Sequence, residues 1–486
     1  MGDNMAEINT ALMSEIKKIS SKYNSSLPDL IKRSQQLISR GVTDDCIIAG
    51  MVEHELKNGI KAPKKLRAEM YDKMNYMCRR YMDRIARFEL DYDHVPDVEA
   101  LKNVIIAFLE SAPVFHSRFV DNHIAPYWRV ADYHIDDVFS AVESDDFEKS
   151  SDEFLLRDID VKNNVQIFIA LFYKNGKSKL SFMWNHMIMD GGDLKHVLDD
   201  LFRNYNNYKS EKRLPVDFRI GTRSYKAVYG DMSTEDQKTA KKLFANVSSH
   251  DKHSLPFTQK SESDRKILVR KKVSAEIFEP ARLKAKSMGA TVNDLISAAY
   301  LRAFYEVSGC PQTEQVGISC AVDLRRYIKS IEKTGYTNHT TFMPCVVESM
   351  GADMNETLIS VTQSTAKVKS DKFMGLHGLP LLNIGYSTMI YAQAEFVVGL
   401  FYNNANLAVS NVGAMDVTAF SMDGNAPVGA AVAGAAKNKP CSMMTALTLN
   451  GELALSICIN GNDDDKKMLQ RFFDGMESNL ASFTAQ

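Results

Sequence analysis

Helical and extended hydrophobic periods alternate along this chain in the same irregular way in both halves. In the first half, apolar spacing predicts a helix over 66–80, a strand over 85–90, a helix over 98–109 and a strand over 118–120. Strands over 165–173 and 179–184 follow, joined by the turn Lys174-Asn175-Gly176-Lys177, and then a helix over 192–205. The second half repeats the mixture. A strand over 267–273, helices over 278–286 and 292–305, strands over 316–322 and 341–347 and a helix over 358–370 lead to a strand-rich end. That end is read as strands over 394–402, 408–410, 443–449 and 452–459, closed by a helix over 466–480. Such an order argues for two α+β lobes rather than a regular β-α-β winding, and no 20–50-residue repeat is visible. The polar stretch 206–265, rich in Lys, Ser and Asp, reads as the crossing between the lobes.

A different pattern precedes the lobes. Ile8, Leu12, Ile16 and Ile19 recur at helical spacing, and Ser26-Leu27-Pro28-Asp29 starts a second helix with Leu30, Ile31, Leu37 and Ile38 as its apolar face. Gly41 ends that helix, Thr43 and Asp44 can cap a third that runs to Gly59, and Lys61-Ala62-Pro63-Lys64-Lys65 reads as a linker. The expected organisation is a helical appendage over 1–65, an N-terminal lobe over 66–225 and a C-terminal lobe over 226–486. The appendage either covers the main body or docks a partner.

Composition narrows the function classes. With 486 residues and 45% hydrophobic content, the chain can bury a large core without disulfides or metals. Lys and Arg total 59 against 61 Asp and Glu, so no basic excess marks a nucleic-acid or anionic-membrane surface. No uncharged apolar run approaches the ~18 residues of a spanning helix. The closest, 426–436, is short and rich in Ala and Gly. The start Met-Gly-Asp-Asn-Met, with Lys17 and Lys18 after the first apolar positions, does not have the order of a secretory signal. The seven cysteines are odd in number, scattered and without a C-x-x-C, which fits reduced thiols in a cytoplasmic protein. Met, at 24 residues, suits both core filling and an adaptable apolar channel.

Common catalytic signatures are absent. No G-x-S-x-G precedes a helix, no Walker loop occurs, and no G-x-G-x-x-G follows a strand. His54-Glu55 starts like a zinc-protease helix, but the second His is replaced by Asn58, and the histidines make no metal-spaced pair with cysteines. One segment carries chemistry. An apolar strand from Lys179 runs through Asn185 into His186, then Asp190, Gly191 and Gly192 lead into a helix with Leu194, Val197, Leu198, Leu201 and Phe202 inward. A His on such a strand-to-helix corner can act as a general base near neutral pH. Asp190 can fix the turn by ion pairing, and Gly191 offers close backbone approach and an N–H to a developing oxyanion. The plainer reading is a partly buried structural His. A metal set of His186, Asp190 and Asp193 lacks a further His at helical spacing.

The segment His186-Met-Ile-Met-Asp190-Gly191 resembles the H-x-x-x-D-G motif of the CoA-dependent acyltransferase superfamily. That group includes chloramphenicol acetyltransferase, condensation domains of peptide synthetases, wax ester synthases and alcohol acyltransferases. Further stretches resemble the group's motifs in the same order: 101–119 with Pro113-Val114-Phe115, Gly289-Ala290-Thr291-Val292-Asn293-Asp294-Leu295, Val322-Asp323-Leu324-Arg325 with Asn338 downstream, and Ser410-Asn411-Val412-Gly413. Together they span about 66–480.

The resemblance implies two chloramphenicol-acetyltransferase-like α+β lobes in a V, with an inter-lobe tunnel and the motif His at its middle. It implies His186 as the base that deprotonates a hydroxyl or amine acceptor for attack on an acyl thioester. It implies Asp190 as a structural partner of Arg325, and Asn411, after Ser410, as a tunnel residue or a tie across the lobes. No metal, bound cofactor or covalent intermediate is expected. The co-substrate is acyl-CoA or an acyl-phosphopantetheine on a carrier protein, and the partner is a small acyl acceptor. The chain departs from condensation domains at Asn185, where those usually carry another His, and from the plant-type enzymes at Asp423-Gly424-Asn425-Ala426-Pro427, in place of D-F-G-W-G. These departures favour a stand-alone acyltransferase. Amide formation is the alternative chemistry, and a catalytically silent binding protein the alternative class.

Overall fold

A computed structural model describes residues 8–58, 63–211, 218–219, 221–245, 251–331, 334–402 and 404–485. The expectations for the N-terminal start, for Gly59, and for Lys61 and Ala62 lie outside these residues. So do 212–217, 220 and 246–250 of the proposed crossing.

Three helices open the fold: α1 (Thr10–Tyr23), α2 (Leu27–Ser39) and α3 (Asp45–Asn58). Asn9 caps α1 by accepting the Leu12 N–H, and Asp44 accepts the Cys46 N–H at the start of α3. Then come β1 (Lys65–Arg67), α4 (Met70–Met77), β2 (Ile85–Tyr92), α5 (Val98–Ser111), β3 (Ser117–Val120), β4 (Tyr127–Val130) and β5 (Phe139–Glu143). α6 (Phe147–Leu155), β6 (Ile167–Lys174), β7 (Lys177–Asn185) and α7 (Gly191–Glu211) complete the first half. The second half runs α8 (Thr234–Ala240), β8 (Arg265–Val273), α9 (Ala275–Ser287), α10 (Val292–Ser308), β9 (Val316–Asp323), β10 (Thr340–Val347) and α11 (Met354–Lys369). It ends with α12 (Leu379–Thr388), α13 (Tyr391–Phe401), β11 (Leu407–Ala414), β12 (Gly429–Ala433), β13 (Lys437–Asn438), β14 (Ser442–Leu449), β15 (Glu452–Gly461) and α14 (Asp463–Ala485).

The architecture is α+β with two main sheets. The first-half sheet has the order β12-β2-β7-β6-β5, the second-half sheet has β10-β9-β11-β14-β15-β13 with β8 on β15, and a small sheet has β1-β4-β3. The Asn175-Gly176 turn between β6 and β7 works because both residues take positive φ, 50° and 75°, matching the twist of the hairpin. α5 and α7 pack together in the first half, and α10 and α14 in the second.

One strand does not stay in its own half. β12 crosses over and pairs antiparallel with β2, from Gly429 opposite Asp91 to Ala433 opposite Arg87. Its small residues suit the close pairing: a Cβ on Gly429 would stand 2.5 Å from Asp91 Oδ2, so that side chain would have to move. The sequence marked this stretch only as too short to span a membrane. Among the described residues no helix is long and apolar enough to do so.

Several local expectations need correction. The strand expected over 394–402 is helix α13, packed against α12 and α4. A short, continuously apolar run does not separate strand from helix by period, and here the helical hairpin wins. The helix expected over 66–80 starts only at Met70, where Glu69 and Asp72 form a capping box, because Lys65 to Arg67 pair with β4. The expected linker therefore ends inside a strand. β4, β5 and α6 have no counterpart in the sequence reading.

The first three helices share the core of the first half: Leu12, Ile16, Leu37 and Ile47 are buried in it. Arg33 and Arg40 both pair with the buried carboxylate of Glu110 on α5, at 2.8 and 2.7 Å. Tyr208 on α7 donates to Asp44 Oδ2 at 2.5 Å.

Candidate active site

β7 delivers His186 to the junction of the halves. Asn185 is the last ladder residue, opposite Ile85, and the His186 N–H donates to Arg84 O at 2.7 Å. Beyond it the chain turns sharply. Asn185 Oδ1 accepts the Met187 N–H at 3.1 Å, and the Ile188 N–H donates to Asn185 O at 3.0 Å. Met187, Ile188 and Met189 are fully buried, so the corner is anchored by packing as well as hydrogen bonds. The Asn185 amide donates to Gln166 Oε1 at 2.7 Å. Gln166 in turn donates to the carbonyls of Ser117, Val161 and Asn164. Asn185 thus braces the corner from behind.

Asp190 sits at the start of α7 and is completely buried. Arg325, from the turn after β9, places Nη1 3.0 Å from both carboxylate oxygens of Asp190. Asp190 Oδ2 also accepts the His339 N–H at 2.7 Å and the Thr340 hydroxyl at 3.0 Å, while Oδ1 accepts the Asp193 N–H at 3.0 Å. Burial alone would raise this carboxyl, but the guanidinium and these donors hold it well below the usual carboxylate range. The same Arg325 reaches Asp193 Oδ2 at 3.0 Å, Asp323 at 3.1 Å and Thr337 O at 2.8 Å. Arg219 closes the cluster on Asp193. Of the two glycines after Asp190, Gly192 is the one held tightly by the ion cluster. A Cβ on Gly192 would stand 2.7 Å from Arg325 Nη1, and one on Gly191 would press Val412 at 3.2 Å.

His186 itself is half-buried and faces the second half. Asn338, just before β10, sets its amide nitrogen 3.0 Å from His186 Nδ1 and 3.3 Å from His186 O. The other end of that amide is fixed, since Asn338 Oδ1 accepts the Thr340 N–H at 2.9 Å. Burial, outweighing the attraction of Asp190, lowers the imidazole pKa below its ordinary value. The ring is therefore neutral at pH 7 and can accept a proton. His339, close by, is a poorer candidate: both ring nitrogens are buried without partners, and burial with the Arg325 charge pushes it down to about 3.

The Ser410-Asn411 stretch lies on β11, beside the start of α7. Asn411 donates to Asn293 Oδ1 at 2.6 Å, a contact within the second half. Its Oδ1 accepts the Gly413 N–H at 2.8 Å, across a bulge in the pairing with β14. At this level the tie between the halves is Lys195 Nζ donating to Ala414 O at 2.9 Å. Among the described residues, the hydrogen bonds of Asn411 stay within the second half.

Sequence spacing did not disclose Asp193, Arg219 and Gly192 as members of the ion cluster, because their partners are distant along the chain. Nor could it disclose a group of His253, Cys310 and Glu314, whose donor atoms lie within 4.8 Å of one another far from His186 in sequence. That His is already paired on both nitrogens, with Asp251 at 2.7 Å and Glu314 at 3.1 Å.

No protein-family model matches the sequence, and no curated protein matches it. Solved structures match in fold. Polyketide synthase associated protein 5 from Mycobacterium tuberculosis is 14% identical with a TM-score of 0.62, covering 88% of this chain and all of that one. The trichothecene 15-O-acetyltransferase from Fusarium sporotrichioides is 12% identical with a TM-score of 0.60, covering 85% and 94%. The starter condensation domain of rhizomide synthetase, solved with C8-CoA, is 12% identical with a TM-score of 0.57, covering 86% and 94%.

Proposed function

We propose that this chain, which has the two-lobed fold of condensation domains and of an acetyltransferase, is an acyltransferase that moves an acyl group from a pantetheine thioester to a hydroxyl acceptor, with His186 as the general base. The observation that carries this reading is a neutral imidazole on a rigid corner between the halves, anchored through its backbone N–H to Arg84 O.

The steps follow from that placement. Nε2 of His186 takes the proton of the acceptor hydroxyl. The oxygen attacks the thioester carbonyl, the C–S bond breaks as the tetrahedral adduct collapses, and the imidazolium returns its proton to the departing thiolate. For Nε2 to accept, Nδ1 must carry the ring proton. The carbonyl of His186 itself can take that proton, while the Asn338 amide donates to the same oxygen. Asp190 takes no proton in this scheme. Its charge is spent on Arg325, and the pair holds the corner against the second half.

The C8-CoA of the rhizomide domain supports an acyl-CoA donor, and the trichothecene O-acetyltransferase supports a hydroxyl acceptor. Acyl carrier protein remains the alternative donor and an amine the alternative acceptor. A silent thioester-binding role is favoured by one contact. If Asn338 donates to Nδ1, the proton resides on Nε2, which then cannot act as a base.

The deciding experiment is free-thiol release from a panel of acyl-CoAs, with and without alcohols, comparing wild type with His186→Ala. The base reading expects turnover to fall about 10²–10⁴-fold with the fold retained. Normal turnover in the variant refutes it, and a flat response of the wild type to every donor, carrier-bound acyl groups included, favours the silent role.

A further inference from the structure

Five lysines and arginines are buried among the described residues: Arg40, Arg87, Lys179, Arg325 and Lys437. Four of them have carboxylates. Arg40 pairs with Glu110, Arg87 with Asp83, Lys179 with Asp91 and Glu148, and Arg325 with Asp190. Lys437 has none. Among the described residues its Nζ has a hydrogen-bond partner only in the Met82 thioether, at 3.2 Å, and sulfur is a weak acceptor.

A second cation shares this condition. Arg84 leaves Nε buried without an acceptor and points Nη1 at the Met187 sulfur at 3.6 Å, with its guanidinium 5.2 Å from the Tyr76 ring centre. Its backbone sits at φ 65°, a strained conformation for an arginine, and such strain concentrates at functional sites.

The two cations come from opposite halves, and the fold brings them to one place. The segment Ala436–Asn438 pairs with Tyr81–Asp83: Asp83 N–H donates to Ala436 O at 3.1 Å and Asn438 N–H to Tyr81 O at 2.7 Å, with Lys437 opposite Met82. Both charges act on the thiol of Cys78. Near the proposed base, Arg84 O accepts the His186 N–H at 2.7 Å, and the Lys437 charge helps depress the His186 imidazole. Asp83, the carboxylate whose field reaches both, is taken. It holds Arg87 at 2.6 Å and Lys266 at 3.5 Å, and accepts the N–H groups of Ile85 and Ala436. Burial pushes the Lys437 ammonium below its ordinary range, and with Asp83 taken, an anion that holds both groups charged would come from outside the chain.

We propose that Arg84 and Lys437 form a carboxylate-binding subsite beside His186, and that the substrate of this site carries a carboxylate. This deepens the acyltransferase reading by naming a substrate class. The surroundings favour a carboxylate over a phosphate. The nearby groups, Met82, Met187, Cys78 and Tyr76, supply few donors for a phosphate's extra oxygens, whereas two carboxylate oxygens are satisfied by one guanidinium edge and one ammonium. The carboxylate lies at the far end of the acyl group, as in a dicarboxylic monothioester, or on the acceptor, as in a hydroxy acid.

The test begins with binding, so that it stands apart from turnover. Succinate and glutarate should raise the melting temperature of the full chain, while inorganic phosphate and sulfate at equal ionic strength should not. Lys437→Met should melt higher than wild type without ligand, because it removes a buried polar group that has no carboxylate partner, and should lose the succinate response. Arg84→Gln should weaken succinate at least tenfold by calorimetry, and Lys437→Arg should keep it. An unresponsive wild type, an equal response to phosphate, or a Lys437→Met protein that still binds succinate overturns the subsite. Turnover then locates the carboxylate: succinyl-CoA against butyryl-CoA for the acyl side, and a hydroxy acid against its methyl ester for the acceptor. If succinate binding follows Arg84 and Lys437 but no thiol is ever released, the subsite stands and the acyltransferase reading falls.

Discussion

Replacing Asp190 by alanine removes one carboxylate and strands four donors: Arg325, the His339 and Asp193 N–H groups, and the Thr340 hydroxyl. Breaking a buried ion pair costs about 3–5 kcal/mol, because the survivor is left uncompensated. Here the survivor is partly compensated, since Arg325 keeps Asp193 at 3.0 Å and Asp323 at 3.1 Å. The lower end, about 3 kcal/mol, is therefore expected. Unfolding entropy near 2.1 cal/mol/K per residue gives about 1 kcal/mol/K for a chain of this length, so the melting temperature should fall by about 3 °C. Asp323→Ala is the control. That side chain is half exposed, so its loss should cost about 1 kcal/mol or less. The pH dependence has a definite sign. The Asp190 carboxyl is depressed in the folded state, so its contribution is complete above its ordinary pKa of 3.8 and is lost as pH falls below it. Differential scanning fluorimetry at pH 7 and at acid pH measures both effects. A Tm within 1 °C of wild type for Asp190→Ala, or equal losses for Asp190→Ala and Asp323→Ala, would refute the argument that this pair clamps the halves.

The remaining predictions concern the base and the first three helices. Because His186 is depressed below 6.5, its ring stays neutral through pH 7, and the acid limb of kcat/KM should lie below 6.5. Asn338→Asp, which sets a carboxylate against Nδ1, should move that limb upward; an unmoved limb would show that Asn338 does not hold the ring. Deleting residues 1–58 strips both arginines from Glu110 and uncovers the core shared with Leu12, Ile16 and Leu37, so the product should aggregate. A soluble truncation with an unchanged melting temperature would favour partner docking instead.

The corner at 185–191 was legible because its pieces are adjacent in sequence: an apolar strand, a His, an Asp and two glycines before an amphipathic helix. Most strands and helices were legible for the same reason, through local period. What escaped depends on contacts between distant residues. α13 could not be separated from a strand by its apolar run, because its packing on α12 and α4 decides the matter. Lys437 sits in an unremarkable Lys-Asn-Lys stretch, and only the pairing of 436–438 with 81–83 reveals that its neighbour Lys439 has carboxylates while it has none. A motif fixes identity but not direction, and only the structure shows that the Asn411 amide turns toward Asn293.

The crossing strand has a consequence for synthesis. β2 ends at Tyr92 and its outer partner β12 begins at Gly429, so about 340 residues must be added before that sheet edge is covered. At about 5–20 residues per second the nascent chain carries an unpaired edge for roughly 17–70 s. Until then β2 can recruit any strand at hand, its own neighbours on a polysome included. Slowed elongation or early termination within this window should therefore yield insoluble first-half fragments, and a holding chaperone should raise the yield of the full chain more than that of a protein whose sheets close in sequence order.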